Sequence, residues 1–190
     1  MDNNYRIKIL TMTDILLISE DTIKSCSNLN DNIWGKSLAP AIVVAQDIQL
    51  QKYLGSCLYK KILELVDTDT IGKEENIHYK MLLDNYITDF LVYQTIANLI
   101  PEISTKLVNL GVVHSQDEQT TNVSQGEREL VVSHYQNIAD SYAKYMQMYL
   151  KGNRDKFKEL ECNCCDGIEP TLDSSASTGL WLGGLRSKRL

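Results

Sequence analysis

The stretch that most limits what this chain can fold into lies at 82–99. Leu82, Leu83, Tyr86, Ile87, Phe90, Leu91, Val92, Tyr93, Ile96 and Leu99 place large apolar groups on nearly every side of one helix. A helix that is apolar all round has to be surrounded by partners. It is therefore expected to be the central element of a helical body, spanning about 74–100 and closed by Pro101.

Two further long helices are expected around it. One begins near Ser37, with Pro40 in its first turn, where a missing N–H costs little. It runs to about Leu54; Gly55 kinks or ends it, and a second segment covers 56–66. Val43, Leu50, Leu54, Cys57 and Leu65 recur at helical spacings. The other follows the capping-box sequence Ser124-Gln-Gly-Glu127 and stops at Gly152-Asn153. Ser19 is a plausible N-cap for a short helix with acids in its first turn. Residues 27–32 carry turn chemistry, 106–113 read as a strand or a short helix, and 114–124 as a polar loop. The expected fold is mainly α: a bundle of three long helices plus short ones. An extended N-terminal arm occupies 1–18, the helical domain 19–158, and an extended C-terminal tail 159–190.

The last helix carries more apolar surface than one packing seam needs. Val131, Tyr135, Ile138, Tyr142, Tyr145 and Tyr149 form one stripe; Val132, Ala139, Ala143, Met146 and Leu150 form the next. Together they cover roughly 160° of arc. The aliphatic half suits the core. The tyrosine half (Tyr135, Tyr142, Tyr145, Tyr149) suits a subunit interface, or it caps the core edge with its hydroxyls in water. Tyrosine is frequent here, 10 against 2 phenylalanines.

The tail has a composition of its own. Residues 169–179 are rich in Ser and Thr, as linkers are. Leu180, Trp181, Leu182 and Leu185 follow, then Arg186, Lys188 and Arg189. This apolar tip reads as a docking element that crosses to an adjacent subunit or another protein. The alternative is that it folds back on its own helices.

Several function classes find little support. The net charge of −6 gives no basic footprint for nucleic acid. No apolar run approaches the roughly 20 residues that span a bilayer, and the N-terminus lacks the pattern of a secretion signal. Of 5 cysteines, Cys162, Cys164 and Cys165 form one compact group. A structural zinc site pairs two separated ligand pairs, so free thiols at an interface are preferred to a metal. Reduced thiols are the default. His78, His114 and His134 are scattered and fit no nucleophile–base arrangement. No phosphate-binding glycine loop is present. No enzyme, metal or cofactor is expected.

Three blocks resemble a family in their order. Pro40-Ala-Ile…Ala45-Gln-Asp-Ile-Gln-Leu-Gln…Leu54-Gly…Leu58-Tyr is similar to the first helices of small head-to-tail connector proteins of tailed bacteriophages, in particular those of crAss-like and other Bacteroides-type phages. Leu82-Leu-Asp-Asn-Tyr-Ile…Leu99-Ile-Pro101 and Lys106-Leu-Val-Asn-Leu-Gly-Val-Val113 resemble the same proteins. The likeness covers about 30–150 and rests on packing motifs. It implies a helical adaptor ring, of about twelve copies, that contacts the portal protein and the next tail or ring protein. DNA would pass its lumen without specific binding. It further implies a virion location at the head–tail junction after assembly in the host cytoplasm, with no membrane partner. The cysteine group and the long tail depart from the family's pattern. The alternatives are a soluble helical protein-interaction module without a virion role, or a small metal-binding regulator using the 162–165 cluster.

Overall fold

A computed structural model describes residues 15–26, 35–108, 111–114, 124–161 and 167–172. The fold is mainly helical, as expected. Helix α1 (Glu20–Ser25) starts at Ser19, whose side chain accepts from the Thr22 amide. Helix α2 (Gly35–Val44) passes into a π turn (Ala45–Leu50), which continues as α3 (Gln51–Asp67). A 3-10 turn (Glu74–Asn76) leads to α4 (Ile77–Leu82), a second π turn (Leu83–Ile87) and α5 (Thr88–Ser104). An antiparallel hairpin follows, β1 (Thr105–Val108) with β2 (Gly111–His114), pairing Lys106 with Val113. Helix α6 (Gln125–Gly152) closes the body, and two 3-10 turns (Arg154–Lys156, Lys158–Glu161) end it.

The expected central helix is central. Phe90, Leu91, Val92, Ile96 and Leu99 are all buried, as are Leu82, Leu83 and Ile87 ahead of them. Helix α5 packs against α6 on one side and α2 on the other, with the first π turn also against it. The Phe90 ring meets Tyr53 of α3 edge-on at 5.5 Å. Hydrophobic burial on several faces is what allows this sequence to hold so apolar a helix in water.

Local boundaries moved in three places. Helix α2 begins at Gly35, so Pro40 falls in the second turn rather than the first, on the exposed side. Pro101 does not close α5; the helix runs three residues past it, less than one further turn. The 106–113 segment, open between strand and helix, is the hairpin.

The largest revision concerns where the body starts and ends. Leu17 and Ile18 are buried, so part of the expected arm belongs to the body. One buried side chain engages the backbone of this segment. Gln46, fully buried in the first π turn, accepts from the Leu17 amide at 3.2 Å and donates to the Ile15 carbonyl at 2.9 Å. Its amide pairs with the backbone as a neighbouring strand does, which satisfies a buried polar group that would otherwise be costly. The same π turn puts Ile48 outside, 63% exposed, while Gln46 is inside at 0%.

At the other end, Phe157, Leu160 and Leu172 are buried, so the body continues past the expected boundary at 158. Phe157 plugs the end of α6, with its ring 5.4 Å from His78, 5.6 Å from Tyr79 and 6.1 Å from Tyr149. The Tyr79 hydroxyl donates to Glu159 at 2.8 Å. Residues 167–172, expected as extended tail with the linker beginning at 169, lie as a strap across α3 with Leu172 in the core. The remaining expectations, for 1–14, the 27–32 turn, the loop over 115–123, the cluster Cys162, Cys164 and Cys165, and the tail tip Leu180, Trp181, Leu182 and Leu185, lie outside the described residues.

Candidate functional site

Helix α6 presents the candidate face, and its start is fixed locally. The Ser124 hydroxyl accepts from the Glu127 amide at 3.3 Å, and the Glu127 carboxylate accepts from the Ser124 amide at 2.9 Å. These two bonds complete the expected capping box. Hydrogen bonds from the Ser124 side chain, then its backbone, hold Glu127 below the usual carboxylate range.

From that start the 3.6-residue repeat sorts the helix into faces. Ala139, Ala143, Met146 and Leu150 are buried, along with Gln147. Tyr135, Tyr142 and Tyr149 are half-buried at the core edge. They stack on tyrosines of the same chain. Tyr93 of α5 lies 5.5 Å from Tyr142 at an interplanar angle of 8°, and 6.4 Å from Tyr135. Tyr86 of the second π turn lies 4.5 Å from Tyr149. Tyr145 stands apart, 58% exposed, touching Tyr142 only at the ring edge, 6.3 Å between centroids. The four tyrosines therefore divide: Tyr135 and Tyr142 contribute to the packing of α6 on α5, Tyr149 to its packing on the second π turn, and Tyr145 faces water.

Tyr145 belongs to an exposed apolar patch that the tyrosine spacing did not reveal. Met148 (64%) is exposed one turn on, whereas Leu130 (71%) and Val131 (44%) are exposed near the start of the helix, parted from the patch by the exposed His134, Asn137 and Ser141. Tyr149 extends the patch to α4, its hydroxyl 3.7 Å from the sulfur of Met81. Met81 and Ile77 sit one turn apart on α4, and both are exposed. Methionines on such a face adapt to a partner's shape. The signal that could have found the patch is the three-residue step from Tyr145 to Met148, which at 100° per residue keeps the two within about 60° of one another.

On the far side of α6 a polar ladder sets its register. Gln94 and Gln136 exchange amide hydrogen bonds in both directions, at 3.1 and 3.0 Å. Gln94 also donates to Asn98 at 3.2 Å, and Gln136 to Asp140 at 3.2 Å. A sliding of α6 along α5 breaks the reciprocal pair, so the ladder specifies one alignment.

The other chemistry-bearing residues do not converge. His78 packs on Tyr79 and Phe157, and His134 meets Tyr135 edge-on from the exposed side of α6. Asp84 pairs with Lys80 at 2.7 Å, whereas burial raises Asp89 above the usual carboxylate range. Among the described residues no group of three or more His, Cys, Asp or Glu side chains could hold a metal ion. Nor is any described helix long and apolar enough to cross a membrane. Cys26 is a free, exposed thiol. Cys57 is disulfide-bonded, which corrects the expectation of reduced thiols at that position.

Two predictions arise from this face. Tyr142→Ser should destabilise the monomer by about 1–3 kcal/mol, because it removes a ring stacked on Tyr93. Tyr145→Ser should leave monomer stability within about 0.5 kcal/mol while weakening any self-association. Chemical denaturation and sedimentation measure the two effects separately. The second concerns pH. Burial, then the hydrogen bond to Glu159, raises Tyr79 well above the ordinary tyrosine value of 10.0. Burial raises Tyr53, Tyr142 and Tyr149 in the same direction. A pKa raised by folding contributes stability that is present below the unfolded value and is lost as pH rises through the folded one. Thermal stability should accordingly fall above about pH 10, and Tyr79→Phe should flatten that fall. A melting temperature unchanged into strong alkali would contradict it.

No curated protein and no solved structure matches the chain. A family profile matches residues 50–168, from the last residue of the first π turn to Ile168 in the strap. The match spans more than half of the sequence, and the chain belongs to the family of unknown function DUF6712.

Proposed function

We propose that this chain is a structural virion protein: one copy in a closed ring that joins the portal to the tail of a phage particle and lets DNA pass. The observation that carries the reading is the exposed apolar patch of Tyr145 and Met148 on α6 with Met81 and Ile77 on α4. The core is already filled by α2, α3, α5 and α6, so the patch serves no packing within the described body. Large apolar side chains exposed side by side mark an interaction site. Three further features support the ring. The blocks at 40–59, 82–101 and 106–113 resemble connector proteins in their order. The net charge of −6 suits a conduit that should not grip DNA. The tip with Leu180, Trp181, Leu182 and Leu185 offers a second contact, to the portal or a neighbouring ring.

The patch also fits the other reading, a helical interaction module that binds a single partner helix, since Tyr145 and Met148 stand one turn apart on α6 as Ile77 and Met81 do on α4. Mass in native solution, alone and with the portal protein, separates a ring from a one-to-one complex. The tail provides the sharper test. Deleting 179–190 removes the apolar tip and leaves the strap at 167–172 in place. The truncated protein should stay folded and soluble yet no longer join the portal–tail complex. Its normal incorporation into infectious particles would sink the docking role.

A further inference from the structure

Helix α3 is broken at one residue, and another part of the chain is spliced into the break. Gly55 has φ 75° and ψ 161°, a conformation open to glycine and almost nothing else. In a continuous helix the Ser56 N–H would donate to the carbonyl of Lys52, four residues back. Instead it donates to the Ile168 carbonyl at 2.9 Å, and the Lys52 carbonyl accepts from the Thr171 N–H at 3.1 Å. The strap has separated the two halves of one helical hydrogen bond and taken both.

Other contacts hold it there. The Ile168 N–H donates to the Ser56 hydroxyl at 2.8 Å, and Gln51 donates to the same oxygen at 2.9 Å. The Gln147 side chain donates to the Thr171 carbonyl, and Leu172 is buried in the core. Pro170 lies against Gly55 so closely that a Cβ there would come 2.8 Å from its Cδ and 2.9 Å from its nitrogen.

The geometry points to a two-state device. We propose that withdrawing residues 167–172 lets Gly55 turn helical and closes α3 into one continuous helix, and that inserting them breaks it. Both backbone groups that the strap engages on α3 have a substitute at hand, namely each other, so neither is left unsatisfied in the withdrawn state. Glycine crosses between the two conformations at no steric cost. The inserted state gains the burial of Leu172 and the Gln147 bond; the withdrawn state gains the freedom of the strap. Any partner that captures the chain beyond Leu172 biases this equilibrium and thereby the angle between the two halves of α3. The coupling holds whichever partner that is, ring or otherwise.

Backbone amide exchange followed by NMR on the full chain tests the device. Reductant is present throughout, because Cys57 beside the break is disulfide-bonded. Gly55→Ala disfavours the broken conformation and favours the continuous helix. In that variant the Ile168 and Thr171 amides should exchange roughly tenfold faster or more. The Ser56 amide should keep its protection, because its acceptor passes from Ile168 to Lys52. If Gly55→Ala does not fold, Leu172→Asp removes the buried anchor without touching α3 and should give the same pattern. Loss of protection at Ser56 together with Thr171 shows that the helix does not close and overturns the proposal. So does unchanged exchange at all three amides.

Discussion

Phe90→Ala should cost about 3–5 kcal/mol of folding stability, among the largest effects of any single truncation in this chain. The ring is fully buried in α5, edge-on to Tyr53, and no part of it reaches solvent. Removing it loses the transfer free energy of the ring and leaves a cavity that α3 and α6 cannot close without moving. Such movement is resisted, since the reciprocal Gln94–Gln136 pair holds α6 in register. Urea denaturation of the purified protein measures the loss; a change below about 1 kcal/mol would contradict the central place of α5.

Phe157→Ala should cost a similar amount, about 3–5 kcal/mol, though the residue stands outside every long helix. Its ring contacts His78, Tyr79 and Tyr149 at once. It seals the gap between α4 and the end of α6, and it positions the turn whose Glu159 accepts from Tyr79. The same denaturation experiment applies, with a second readout. The alkaline weakening that comes from Tyr79 should shrink in this variant, because burial is the leading cause of the raised tyrosine and the Glu159 hydrogen bond the next.

The three long helices were legible because their signals are local. Apolar groups around 82–99, the capping box at Ser124 and the Gly152-Asn153 stop each act within a turn or two of the residues that carry them. Gln46 was not legible. A glutamine between an alanine and an aspartate reads as outward, and only the backbone of residues 15–17, about thirty positions away, turns it inward. The strap was missed for a related reason. Two of its bonds run from backbone to backbone and two join its backbone to the distant side chains of Ser56 and Gln147, and composition carries no trace of them; Gly55 reads as a kink, but what fills a kink is not written next to it. At the candidate face, repeated tyrosine drew the eye to Tyr135, Tyr142 and Tyr149, which pack on Tyr93 and Tyr86. The exposed patch uses Met148 and Met81, residues whose type is usual in cores, so type alone could not set them apart.

The two π turns bear on how this chain tolerates changes of length. A π turn carries one residue more than an α-turn over the same rise, and the helix resumes its register beyond it. Losing one residue at Ile48, which points into water, returns 45–50 to ordinary winding and leaves α3 facing as before. Losing one residue within α5 instead rotates everything that follows by about 100° and turns the core outward. Single-residue deletions among relatives of this chain should therefore gather at 45–50 and 83–87, and sequence comparisons that slip by one position there describe the same fold.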